Sequence, residues 1–179
     1  AGYVKIYEEG QNEPQGTFAW VQKGSTIEGE ATTDEMTKKH ALSLNNDGSI
    51  VAVGSWNNDG NGTNAGHVRV YEWDANANNG DGDWNQKGSD IDGSSGDELG
   101  WAVALSSNGL TVACGGKGGD GRVRVYSWNA TTNDWSQIGS DIDGDSTGNV
   151  NDQFGMAIAL SNNGLIVAAS GYIVNGSME

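Results

Sequence analysis

Positive charge is scarce in this chain. Nine Lys and Arg stand against 24 Asp and Glu, a formal net charge of −15. A surface so balanced repels phosphate backbones and anionic headgroups, which excludes nucleic acid and acidic membrane surfaces as partners. Cysteine is reduced to Cys114, so an internal disulfide framework is excluded. Its place in an apolar run predicts a buried small side chain rather than a nucleophile, for which no nearby base is in view. The two histidines, His40 and His67, are too few for a triad or a histidine-based metal site. Proline occurs once, at Pro14. No apolar run approaches the roughly 18 residues that would insert into a membrane. Helical periodicity is also missing, and the segment around Thr33 to His40 reads as loop. The chain opens on Ala1 without an initiator methionine, and the expectation is a piece excised from a longer polypeptide.

Glycine is what the chain has in quantity, 29 of 179 residues, and it falls between short patterned runs. Those runs repeat. Val68-Arg69-Val70-Tyr71-Glu72-Trp73 recurs as Val123-Arg124-Val125-Tyr126-Ser127-Trp128, and Val4-Lys5-Ile6-Tyr7 is an earlier copy. A strand opened by tryptophan appears at Trp20, Trp84 and Trp135, running to Gly29, Gly93 and Gly144. A strand of small residues appears as Ala41–Leu44, Ala102–Leu105 and Ala157–Leu160. It is followed through Asn46-Asp47-Gly48, Ser107-Asn108-Gly109 or Asn162-Asn163-Gly164 by a near-continuous apolar strand. Those three turns are hairpin turns in which Gly supplies the positive φ.

Four strand types, each written three times with a period of roughly 50 residues, predict an all-β protein of β-propeller blades. The expected single domain spans 1–179, with three four-stranded antiparallel repeats. The first blade covers about 37–93 and the second about 98–144. The third joins 153–171 to 1–29, so that the first and last segments share one blade. Closed rings hold about four to eight blades. Three blades therefore suggest part of a larger ring, with a six-blade assembly of two copies or an open array held by partners as alternatives.

Phe154-Gly155-Met156-Ala157-Ile158-Ala159-Leu160-Ser161, followed by Leu165–Gly171, resembles the FG-GAP repeats of integrin α-like propellers. It is closer to the degenerate form found in surface proteins of aquatic microbes. Only the third copy has Phe-Gly; the second has Leu99-Gly100 and the first Lys38-Lys39. The Gly-Ala-Pro of the family is reduced to Cys114-Gly115-Gly116 and Val53-Gly54-Ser55. The resemblance implies an adhesive or interaction role at the cell surface or in the extracellular medium, and it implies no chemistry.

Several residues are candidates for a site. Asn57, Asp59 and Asn61 place oxygen side chains at alternate positions of a Gly-rich loop, the spacing that Ca²⁺ uses, though a single carboxylate among them is little charge for it. No other cofactor is expected. Trp56 and Trp101 break the tryptophan register and are candidate ligand-binding aromatics, whereas the repeated Trp20, Trp84 and Trp135 read as packing between sheets. Arg69 and Arg124 are expected to face solvent. The pairs Asp90/Asp92 and Asp141/Asp143 read as solvated strand ends, because a paired-carboxylate active site would not recur in each copy. Asn61, Asn129 and Asn175 carry the N-glycosylation acceptor pattern. The resulting expectation is a non-enzymatic extracellular interaction module, adhesive or scaffolding, with a protein or glycan partner. The alternative is a lectin stacking sugars on exposed aromatics between blades.

Overall fold

The computed structural model describes residues 2–11, 18–31, 34, 36, 41–145 and 152–172. Among them the protein is built from antiparallel strands, with a single three-residue 3₁₀ turn at Asn78–Gly80. No helix there is long and apolar enough to cross a membrane. Strands β1 (Tyr3–Val4), β2 (Tyr7–Gln11), β3 (Phe18–Gln22) and β4 (Ile27–Glu28) form an amino-terminal half-sheet in which β1 pairs β4 and β2 pairs β3. The first full sheet follows: β5 (Leu42–Leu44), β6 (Ile50–Ser55), β7 (His67–Asp74) and β8 (Asp83–Gln86) lie in chain order. Its β9 (Ile91–Asp92) pairs with the start of β7. The second full sheet repeats this order with β10 (Leu99–Leu105), β11 (Thr111–Gly116), β12 (Arg122–Asn129), β13 (Asp134–Gln137) and β14 (Ile142–Asp143). Strands β15 (Ala157–Leu160) and β16 (Val167–Ser170) make a carboxy-terminal half-sheet.

Register carries the repeat down to single residues. Tyr7 faces Gln22, Tyr71 faces Gln86 and Tyr126 faces Gln137. Ala104 faces Ala113 and Ala159 faces Ala168. All three hairpin turns hold their glycine at positive φ, with Gly48 at 70°, Gly109 at 67° and Gly164 at 72°. The turns also meet one another: Asn46 N–H donates to the Ser107 carbonyl at 3.1 Å, and Ser107 N–H to that of Asn162 at 2.9 Å.

The sheets stack face to face, as a strand buried on both faces requires. Strand β6 is wholly buried. Its Val51 and Val53 pack with Val4, Ile6, Ile27, Met36, Tyr71 and Trp84 on the amino-terminal side. Its Ile50 and Ala52 pack with Leu99, Val103, Leu105, Val112 and Cys114 toward the second full sheet. Cys114 is fully buried there, and burial pushes its thiol pKa up, away from the thiolate form.

The repeated Leu-Gly and Phe-Gly pairs clasp adjacent sheets. Leu99 bridges to Gly66 and Phe154 to Gly121, each across to the preceding sheet. Gly100 and Gly155 take φ of 88° and 89°, and their carbonyls lie where a side chain on Gly54 or Gly115 would stand. Only glycine on both sides allows that approach.

The two terminal segments have the strand types expected, but among the described residues no ladder joins them. Among the described residues β16 pairs only with β15, and β1 and β2 only with β4 and β3. The amino-terminal half-sheet instead packs on the first full sheet, and the carboxy-terminal one on the second. The physical reason is that each half-sheet buries its apolar face on the sheet next to it in the chain.

Candidate functional site

The joints between sheets are built from one set of side chains used twice. Trp73 and Trp84 pair edge to face at 5.5 Å, as do Trp128 and Trp135 at 5.4 Å. Over each pair lies a lysine of the preceding sheet, Lys23 at 4.9 Å from Trp73 and Lys87 at 4.3 Å from Trp128. The Trp84 indole N–H donates to the Lys23 carbonyl and that of Trp135 to the Lys87 carbonyl. Asp83 and Asp134 accept from the Ser25 and Ser89 N–H groups beside them. Trp84 and Trp135 thus pack between sheets as expected. Trp20, the third of the set, is 74% exposed.

Each full sheet also carries an ionic network near the start of its third strand. Arg69 forks onto Asp90 through Nε at 2.9 Å and Nη2 at 2.8 Å, and its Nη2 also meets Glu30 of the amino-terminal half-sheet. Arg124 lies 3.0 Å from both Asp141 and Asp97, while Arg122 reaches Asp141 at 3.2 Å. Arg69 and Arg124 therefore do not face solvent as the alternation predicts. Their charge is met by the first aspartate of each Asp-Ile-Asp, Asp90 and Asp141. Burial alone would raise the pKa of Asp90 and Asp141. Hydrogen bonds from Arg69 and Gln86 to Asp90, and from Gln137 and Arg124 to Asp141, hold both below the usual carboxylate value. Burial and the charge on Asp90 push Asp92 up.

Glu30, His67 and Asp90 bring ligand-type atoms within 4.8 Å of one another. The Arg69 guanidinium already bonds both carboxylates of that group. Burial first, and Arg69 second, hold the His67 pKa below its ordinary value. A metal ion would have to displace a guanidinium in ideal fork geometry, so the cluster is a structural network.

The other expected residues fall in separate places. Trp101 is buried against Trp56 at 5.2 Å, with Lys117 at 4.3 Å over its ring. In the Asn57–Asn61 loop, Asp59 accepts from the Asn64 N–H at 2.7 Å. Asn61 donates its side-chain amide to the Gly93 carbonyl at 2.8 Å, so the nitrogen that a glycan would need is engaged. Asn129 sits at the end of β12, its side-chain oxygen accepting from the Thr131 N–H. Asn175 and His40 lie outside the described residues. Missed in the sequence were the buried carboxylates Asp34, Asp97 and Asp152. Asp34 and Asp97 accept the N–H of the residue three positions before them. Their recurrence two residues ahead of Met36, Leu99 and Phe154 was the available signal.

Two concave surfaces lie beside the second full sheet. One, of about 470 Å³, is polar and lined by the glycine-rich loops 95–97 and 118–122 with Asp143 and Gly144. The other, of about 230 Å³, is apolar, between Val125 and Ile138 of the second full sheet and Leu160, Leu165 and Val167 of the carboxy-terminal half-sheet. Together these features define an all-β protein of stacked, register-identical antiparallel sheets. Neither the family models nor the curated proteins compared with the chain match it.

Proposed function

We propose that the chain is a non-enzymatic, extracellular interaction module of β-propeller blades, which takes up a protein partner at its open half-sheets. One observation carries this reading. Phe18, Trp20, Tyr3 and Tyr7 are exposed on the amino-terminal half-sheet, and Leu165, Ile166 and Tyr172 on the carboxy-terminal one. Large apolar side chains gathered on sheet ends are the usual mark of a protein contact. The blade reading draws support from the repeated strand order and from the Leu-Gly and Phe-Gly clasps, the positions that resemble FG-GAP repeats. The net charge of −15 suits a surface kept soluble outside the cell. The lectin alternative needs a free aromatic face, and at Trp101 Lys117 lies over the ring.

The test is binding of the immobilised chain to a panel of extracellular proteins and to a glycan array. Saturable protein binding that is lost in Trp20→Ala and kept in Trp56→Ala is expected. Glycan signal abolished by Trp56→Ala would overturn the reading in favour of the lectin.

A further inference from the structure

The apolar groove of about 230 Å³ has a counterpart at every joint of the stack, and at the other joints it is filled. By repeat position Val125, Leu160 and Val167 correspond to Val70, Leu105 and Val112. The latter three lie in the cluster against which Tyr126 and Trp135 pack. One joint earlier, Ile6 and Val51 occupy the same places and hold Tyr71 and Trp84. The residues of this type still without a seat are Tyr7 and Trp20, 49% and 74% exposed. The strand edges agree. Ala52 and Ala113 are fully buried, whereas their equivalent Ala168 in β16 is exposed. Among the described residues β16 lacks a third-strand partner, and β1 and β2 lack a second-strand partner.

The amino-terminal half-sheet also differs from the full sheets in a correlated way. Where Lys23 and Lys87 reach forward to a tryptophan, the second full sheet has Ile138, half exposed in the groove wall. Where Trp73 and Trp128 receive those lysines, the amino-terminal half-sheet has Glu9, and Ala19 replaces Asp83 and Asp134. The cation and the ring that attracts it are lost together, so the joint between these two ends is of apolar type.

We infer that the groove seats Tyr7 and Trp20 of a second copy of this chain, whose β1 and β2 pair with β16. The register of the full sheets sets the pairing: Tyr7 of the second copy opposite Val167, and Val4 opposite Ser170. The Trp20 indole N–H then donates to the Ile138 carbonyl, as Trp84 and Trp135 do to Lys23 and Lys87. This names the partner for the interaction reading above and rests on it.

The experiment is native mass spectrometry with light scattering on the purified 179-residue chain over a concentration series. The wild type is expected to form a dimer. Trp20→Ala and Ile138→Asp both alter exposed side chains, and circular dichroism melts are expected to show them folded. Each alone should weaken dimerisation about tenfold or more, as removal of a central interface anchor does. Mixed, they should form a dimer with one chain of each kind, because one intact groove then meets one intact Trp20. A wild type that stays monomeric, a dimer indifferent to both substitutions, or a mixture without the mixed dimer overturns the inference. Should the wild type be monomeric yet bind an extracellular protein through Trp20, the interaction reading stands and only the self-pairing falls. With neither dimer nor Trp20-dependent binding, both fall.

Discussion

The indole N–H of Trp135 donates to the main-chain carbonyl of Lys87 at 2.7 Å, joining one sheet to the next by a bond that no side chain of the acceptor determines. Trp135→Phe removes the donor together with part of the ring that packs against Trp128 and the core. A loss of about 2 kcal/mol in urea unfolding is expected, about 1 kcal/mol for the hydrogen bond and the rest for the ring area given up. Lys87→Met retains the carbonyl and removes the cation over Trp128, so its cost is expected to be the smaller of the two.

Arg124 is the sole guanidinium held at 3.0 Å from both Asp97 and Asp141 among the ion pairs of the described residues. Arg124→Met leaves Asp97 and Asp141 sharing only Arg122, whose Nη1 lies 3.6 and 3.2 Å from them. Solvent reaches Asp141, so the expected loss is about 2 kcal/mol, below that of a fully buried pair. Arg124→Lys, which cannot fork, is expected to recover less than half of it.

Gly100 has two reasons to be glycine, a φ of 88° and the backbones of Gly54 and His67 where a methyl group would go. Gly96 has a φ of 82° with open space around it. Gly96→Ala should therefore cost only the backbone term, about 1–2 kcal/mol. Gly100→Ala should cost clearly more, because two sheets must move apart. Thermal melts of the two variants side by side check the difference.

Acid should act on this fold in two stages. His67 has its pKa held below 6.5 by burial and by Arg69, against the pull of Asp90, Glu30 and Asp92. The unfolded chain takes up that proton first. The His67 contribution is thus present above pH 6.5 and lost as the pH falls through the folded value. Asp90 and Asp141 titrate below 3.8 in the fold, so their contribution is present above that pH and disappears only beneath it. His67→Gln is expected to flatten the first stage and leave the second, read from urea midpoints between pH 7 and about 3.

The strand types and hairpin turns could be read from the chain because both are local. Alternation marked β7 and β12, and the Gly48, Gly109 and Gly164 turns carried their own positive φ. The burial of Cys114 followed from its place in an apolar run. The fate of Arg69 was not legible, since its partner Asp90 lies 21 residues away on a segment brought alongside by β9 pairing. Trp101 likewise looked free for a ligand, because Trp56 and Lys117 reach it from loops beyond other strands. Alternation says that a side chain leaves the plane of its sheet, and only the neighbouring strands decide whether water or a partner meets it there.

The contact between hairpin turns has a further consequence. Asn46 donates to Ser107 and Ser107 to Asn162 through main-chain atoms alone, so the pitch of the stack along that line is set by the peptide groups. Residue identity there can drift between asparagine and serine without altering the spacing. A turn lengthened by one residue would break the line for both neighbours at once.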